Sequence, residues 1–183
     1  MNKPRALDPR RLDVAGFAAA GAALEGEAEL TSLPRLAADL VTPADAAPAP
    51  VRWSAQGVQR SPVGRPQEIW IELKAQARVW LACQRCLNPL PTALDVDRRI
   101  RFVAGEDEAA RLDEELEDDV LALPRSIDLV ELVEDELILA LPLVPRHAQC
   151  PTPASSDAPA AVPARPNPFA VLASIKNGER GKL

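Results

Sequence analysis

The sequence predicts an α+β domain: an antiparallel sheet with a few helices, a Cys-x-x-Cys hairpin tip, and a Pro-rich tether to a short C-terminal helix. Three observations predict it. Along 67–83, Ile69, Ile71, Leu73, Ala75, Ala77, Val79, Leu81 and Cys83 alternate with Glu68, Trp70, Glu72, Lys74, Gln76, Arg78 and Trp80. Along 92–103, Leu94, Val96, Ile100 and Phe102 fall in phase again. Period-two runs of this kind are strands with one covered and one wet face. Along 126–141 the period changes: Val130, Val133, Leu137 and Leu141 form a helical stripe, with Glu131, Glu134 and Asp135 expected to face away.

The remaining elements follow in chain order. Asp8 before Pro9 reads as an N-cap and first helical position for a short turn over 7–12. Residues 24–30 alternate well enough for a strand. Residues 32–40 read as a short helix, with Ser32 as its cap and Leu33, Leu36 and Leu40 on one side. The Pro/Ala-rich stretch 42–50 is a loop. No element is assigned to 51–66. Residues 118–123 add a strand. Asp128 and Glu131 have the spacing of a capping box, and Pro142 and Pro145 stop the helix they open. The domain thus spans 1–150. Residues 151–166 carry five prolines and form a tether. The chain ends in 167–183, where Asn167 and Pro168 start a helix whose Phe169, Leu172 and Ile175 share one face. A tethered apolar helix either docks back on its own domain or inserts into a partner groove, with Phe169, Leu172 and Ile175 as the candidate partner-binding residues.

Charge is segregated. The formal net charge is −6, yet 106–119 hold nine acids against one arginine, leaving 20 bases and 18 acids elsewhere. A segregated basic face can hold RNA on an acidic protein. Arg85, Arg98, Arg99 and Arg101 are the candidate RNA-binding residues, with Trp70 and Trp80 as candidate stacking platforms. The acidic run reads as a solvated loop or helix. No stretch is apolar and long enough for a transmembrane span, and Met1-Asn2-Lys3-Pro4-Arg5 lacks an apolar signal core. A cytoplasmic protein without membrane contact is expected.

The three cysteines and the one histidine fall in two short clusters, Cys83-Gln-Arg-Cys86 and His147-Ala-Gln-Cys150. Each has the spacing that lets two side chains hold one tetrahedral ion from a tight turn. Cys83, Cys86, His147 and Cys150 are therefore a candidate Cys3His zinc site tying the hairpin tip to the exit of the last helix. Two readings compete with it: small buried cysteines beside a surface histidine with no metal, and a redox pair, although redox motifs open a helix, whereas Cys86 runs into Leu87-Asn88-Pro89-Leu90-Pro91. The sequence has no phosphate-binding loop, no small-molecule site is evident, and the single histidine would be spent on the ion. A non-enzymatic protein is expected.

Cys83-Gln-Arg-Cys86-Leu87, the 133–147 run ending Leu-Pro142-Leu-Val-Pro145-Arg-His147, and Asn167-Pro-Phe-Ala-Val-Leu-Ala-Ser-Ile-Lys176 together resemble the YceD family, the large ribosomal RNA subunit accumulation proteins. Leu7-Asp-Pro-Arg-Arg-Leu12 is similar to that family's start, and the blocks come in the family's order. The resemblance implies a bacterial cytoplasmic factor needed for synthesis, processing or stability of 23S rRNA. The expected partner is 23S rRNA or a pre-large-subunit particle. The alternative is a protein-binding adaptor acting on ribosomal proteins or other biogenesis factors.

Overall fold

The computed structural model describes residues 7–150 apart from 45, 48 and 65. The chain divides into Met1–Cys150 and Pro151–Leu183; the expected tether and the helix bearing Phe169, Leu172 and Ile175 lie outside the described residues.

The two alternating runs form one long hairpin. Strand β3 (Glu68–Ala82) pairs antiparallel with β4 (Pro89–Val103), from Ile69↔Phe102 to Ala82↔Pro89. Strand β2 (Val51–Arg60) lies on the other side of β3, and β1 (Ala23–Ala28) on the other side of β2. The fifth strand, β5 (Asp119–Ala122), closes a sheet of order β1-β2-β3-β4-β5. It runs parallel to β4, so the expected antiparallel sheet holds for every pair but the last. The acidic run explains this. Glu106–Glu115 forms helix α3, and a helical crossover returns the chain to run alongside β4. Arg111 bonds Glu108 and Glu115 at 2.8 Å each, offsetting part of the helix's negative charge.

Strand β2 occupies part of the unassigned stretch. Its Val51, Trp53, Ala55 and Gly57 face inward, alternating with Arg52, Ser54 and Gln56. Gly57 is required there: a Cβ would sit 2.6 Å from the carbonyl carbon of Phe17. Phe17 belongs to helix α1 (Val14–Ala19), whose backbone rests directly on the sheet. Asp13 caps α1 by accepting from Gly16 N at 3.1 Å.

The covering layer is completed by α2 (Pro34–Ala38) and α4 (Leu129–Leu139). Asp128 caps α4, accepting from Val130 N and Glu131 N at 2.9 and 3.1 Å. Upstream, Asp8 caps the 3-10 turn Pro9–Arg11, and Leu12 pairs with Ile127 in an antiparallel bridge. Val133 and Leu137 of α4, Phe17 of α1 and Leu36 of α2 pack on Ile71, Leu73, Val79 and Ile100 of the sheet in one core. Burial of this apolar area is the main stabilising term.

Two expectations about the helices are corrected. Ser32 does not cap α2; its hydroxyl donates to Glu29 O at 2.7 Å. Glu134 does not face solvent; it is 4% exposed. The two corrections have one cause. Pro34 has no N–H, so Arg35 N and Leu36 N are the first free donors of α2. Both donate to Glu134 Oε1, at 2.8 and 3.1 Å. The Arg35 guanidinium donates to Glu134 Oε2 at 3.1 and 3.2 Å, and also bonds Asp135. A carboxylate on α4 thus caps α2 from outside. It can be buried because every bond it needs is there.

Candidate metal centre

Cys83, Gln84, Arg85, Cys86, Leu87 and Asn88 turn the hairpin from β3 into β4. Cys83 N donates to Asn88 O at 3.0 Å, and Leu87 N to Cys83 O at 2.8 Å. The turn is closed by Leu87 in the left-handed region, at φ 62°. For a leucine this is an unfavourable conformation.

The second half arrives from α4. After Leu139 the prolines prevent further helix, and Pro145 O accepts from Gln84 N at 2.9 Å. That bond stitches the post-helix segment onto the turn and brings His147 and Cys150 to the cysteines. Cys83 Sγ lies 3.9 Å from Cys150 Sγ, and Cys86 Sγ lies 3.5 Å from His147 Nδ1. One ligand atom from each of the four residues falls within 4.8 Å of the others. A tetrahedral ion with Zn–S of about 2.3 Å and Zn–N of about 2.0–2.1 Å would hold sulfurs about 3.8 Å apart, and sulfur and nitrogen about 3.5 Å apart. The closest pairs already have that spacing.

The surroundings suit the same use. His147 Nε2 lies 3.2 Å from Pro89 O. Donation to that carbonyl puts the ring proton on Nε2 and leaves Nδ1 with its lone pair toward the sulfurs. Burial pushes the Cys83 thiol up, but the backbone N–H groups of His147, Arg85 and Cys86 outweigh it and bring the thiol down to about 5. Burial pushes Cys150 up, and hydrogen bonds with Cys86 and Cys83 and the negative charge of those sulfurs add to it, to about 11. One thiolate is stabilised by the backbone, while a second beside it meets repulsion that a cation would remove.

The predicted ligands therefore converge. The predicted RNA residues do not form one set. Arg85 is exposed in the turn. Arg98 pairs with Glu136 of α4 at 3.4 Å, Arg99 with Asp118 at 3.0 Å, and Arg101 with Glu68 at 3.3 Å. Trp70, expected on the wet face, is only 4% exposed. Arg60 and Arg101 lie over its ring, 5.0 and 5.8 Å from the centroid, and its indole N–H donates to Glu68 at 3.1 Å. Trp80 is half-buried. Two structural roles escaped the sequence reading: Glu134 as the cap of α2, and Pro145 O as the acceptor for Gln84 N. Only Leu33 at the N-cap position, whose side chain cannot accept a hydrogen bond and so leaves α2 needing an outside acceptor, hinted at the first.

Among the described residues no helix is long and apolar enough to cross a membrane. No solved structure matches the chain. A curated relative from Haemophilus influenzae, named large ribosomal RNA subunit accumulation protein YceD, is 35% identical over 184 residues, covering 94% of this chain and 95% of its own. The family model described as large ribosomal RNA subunit accumulation protein YceD matches residues 71–176, a span containing both halves of the cysteine–histidine cluster. By both matches, the chain belongs to the YceD family.

Proposed function

We propose that this protein supports the accumulation of large-subunit ribosomal RNA, 23S rRNA, by binding the precursor RNA or the assembling large subunit in the cytoplasm, without catalysing a reaction. The carrying observation is a match running almost end to end with a relative whose name states that role. The single histidine stands in the cysteine cluster, which leaves no other imidazole for acid–base work. The Cys3His cluster is proposed to bind one zinc ion in a structural role, since all four positions are filled by protein and none is left open for substrate.

The test is depletion of the protein in growing cells. The ratio of 23S to 16S rRNA should fall, and the tagged protein should sediment with particles lighter than the mature large subunit. An unchanged ratio would reject the reading. A protein-adaptor role is favoured by one observation. Helix α3 presents Glu106, Asp107 and Glu108 exposed in its first turn, a surface suited to basic ribosomal proteins. Binding of such proteins in the absence of RNA would select it.

A further inference from the structure

Eight of the thirteen arginines among the described residues are held by carboxylates: Arg10, Arg35, Arg52, Arg60, Arg98, Arg99, Arg101 and Arg111. Most of the sheet's cations are therefore already neutralised. A phosphate reaching them would have to displace a carboxylate and would then meet its repulsion. The arginines without such a partner are Arg11, Arg78, Arg85, Arg125 and Arg146, and two of these flank the metal centre. Arg85 adjoins Gln84 and Arg146 adjoins Pro145, the two residues joined by the 2.9 Å bond between turn and post-helix segment. Both are exposed. A third, Arg78, stands exposed on the open face of β3, two positions before half-buried Trp80 on the strand leading into the turn.

The charge around Arg85 and Arg146 is one-sided, while Asp95 lines the same groove as Arg78. Residues 73–94 contain no Asp or Glu, and neither do 137–150, in a chain whose net charge is −6. These two segments are the ones that build the knuckle. It also carries apolar side chains open to solvent: Leu87 is 76% exposed, Leu143 100% and Val144 57%. Free guanidinium groups beside exposed apolar side chains match a single-stranded nucleic acid. Its phosphates meet the cations, and its unstacked bases offer flat apolar faces that a duplex keeps stacked.

We infer that the metal-knuckle end, with Arg85 and Arg146 at its centre and Arg78 beside it, is the surface that binds a single-stranded segment of RNA. The inference rests on the function proposed above and names the surface and the kind of RNA. The ion contributes indirectly. It would fix the turn and the post-helix segment against each other, so that the two arginines keep their spacing.

The test uses the full chain loaded with zinc and two probes: a fluorescein-labelled 20-nucleotide single strand of mixed sequence and the corresponding duplex. Arg85→Ala with Arg146→Ala should weaken single-strand binding by about tenfold and lower the salt slope by roughly 1.4, at about 0.7 per lost phosphate contact. Arg10→Ala with Arg111→Ala removes the same charge elsewhere and should leave the affinity within about twofold. Unchanged melting of each variant excludes unfolding as the cause of a loss. Duplex bound as tightly as single strand overturns the proposal. So does a loss seen with Arg98→Ala and Arg99→Ala but not with the knuckle pair, or capture of ribosomal proteins by a chain that binds neither probe. If the knuckle variant binds the single strand as wild type does while depletion still lowers 23S rRNA, the surface is wrong and the function stands. If depletion leaves 23S rRNA unchanged, the function fails and takes the surface with it.

Discussion

Glu134 and the cysteine–histidine cluster each fasten segments far apart in the chain, but they reach completion differently. Glu134 joins α4 to the start of α2 across 98 or 99 residues. Its two oxygens accept four hydrogen bonds, all from the protein. The cluster joins the hairpin tip to the post-helix segment across 61 and 67 residues. Its four atoms are soft electron donors turned toward one another, with backbone N–H groups favouring negative charge on Cys83. Protein hydrogen bonds complete the first tie, whereas the proposed zinc would complete the second. One end of the domain should therefore be insensitive to metal and the other governed by it.

The largest effect should come from withdrawing the ion. With zinc in excess of its dissociation constant by about a thousandfold, binding adds about 4 kcal/mol. A strong chelator should then lower the melting temperature by roughly 10 °C. Cys83→Ser should melt near the chelated wild type and purify with less than one zinc per chain. Calorimetry with and without zinc, with metal analysis, checks this; no zinc together with unchanged melting breaks the comparison at its metal end.

Next in size is Glu134→Ala. It strips the acceptor from Arg35 N and Leu36 N and should cost about 3 kcal/mol in denaturant titrations. Zinc content should stay at one per chain. If the variant loses zinc as well, the two ties are coupled and the contrast between them fails.

Glu136 sharpens the comparison from within α4. It lies two residues beyond Glu134 and, among the described residues, has one ion-pair partner, Arg98, at 3.4 Å. Burial holds its carboxyl above the usual carboxylate range, against the opposing pull of Arg98 and with Asp119 adding to the rise. The folded state therefore takes up the proton more readily than the unfolded chain does. The stability this group contributes is present at low pH, and is lost as pH climbs from the ordinary carboxylate value through the raised one. Glu136→Gln should gain stability relative to wild type at pH 7 and lose that advantage at pH 4. Urea midpoints across that range decide it; a gain that does not depend on pH would show that burial of the charge is not the cause.

The smallest effect belongs to Leu87→Gly. Glycine removes the penalty of a left-handed leucine but loosens the unfolded chain, for a net gain below about 1 kcal/mol. A clear loss in denaturant titrations would mean that the exposed leucine side chain, and not just its backbone, holds the turn.

The β3–β4 hairpin and α4 were legible because their signals are local and long. Fifteen alternating residues leave little choice of period. Strand β2 alternates as regularly, but its inward positions include Ala55 and Gly57, which carry little hydrophobic signal, and Pro/Ala-rich sequence precedes it. The inward turn of Glu134 was illegible for a different reason. Helical periodicity places a glutamate by its own helix and cannot register that another helix lacks an acceptor. The cysteine–histidine cluster was readable because each pair lies within four residues. The pairing of Arg98, Arg99 and Arg101 was not, since their carboxylates lie 38, 19 and 33 positions away. A basic stretch in sequence is a free basic surface only if nothing distant in sequence claims it.

The bond between Gln84 and Pro145 has a kinetic consequence. Between those residues the chain passes through β4, α3, β5 and α4. Closing a floppy loop of some sixty residues costs about 4 kcal/mol of chain entropy, so turn and post-helix segment will rarely meet before the elements between them have folded. On a ribosome the hairpin tip emerges long before Cys150 does, and must wait for it with two cysteines uncovered. Completion of the cluster is thus a late event in the life of each chain, and the rate of metal uptake during refolding should follow the slowest step of β4–α4 assembly instead of the metal concentration.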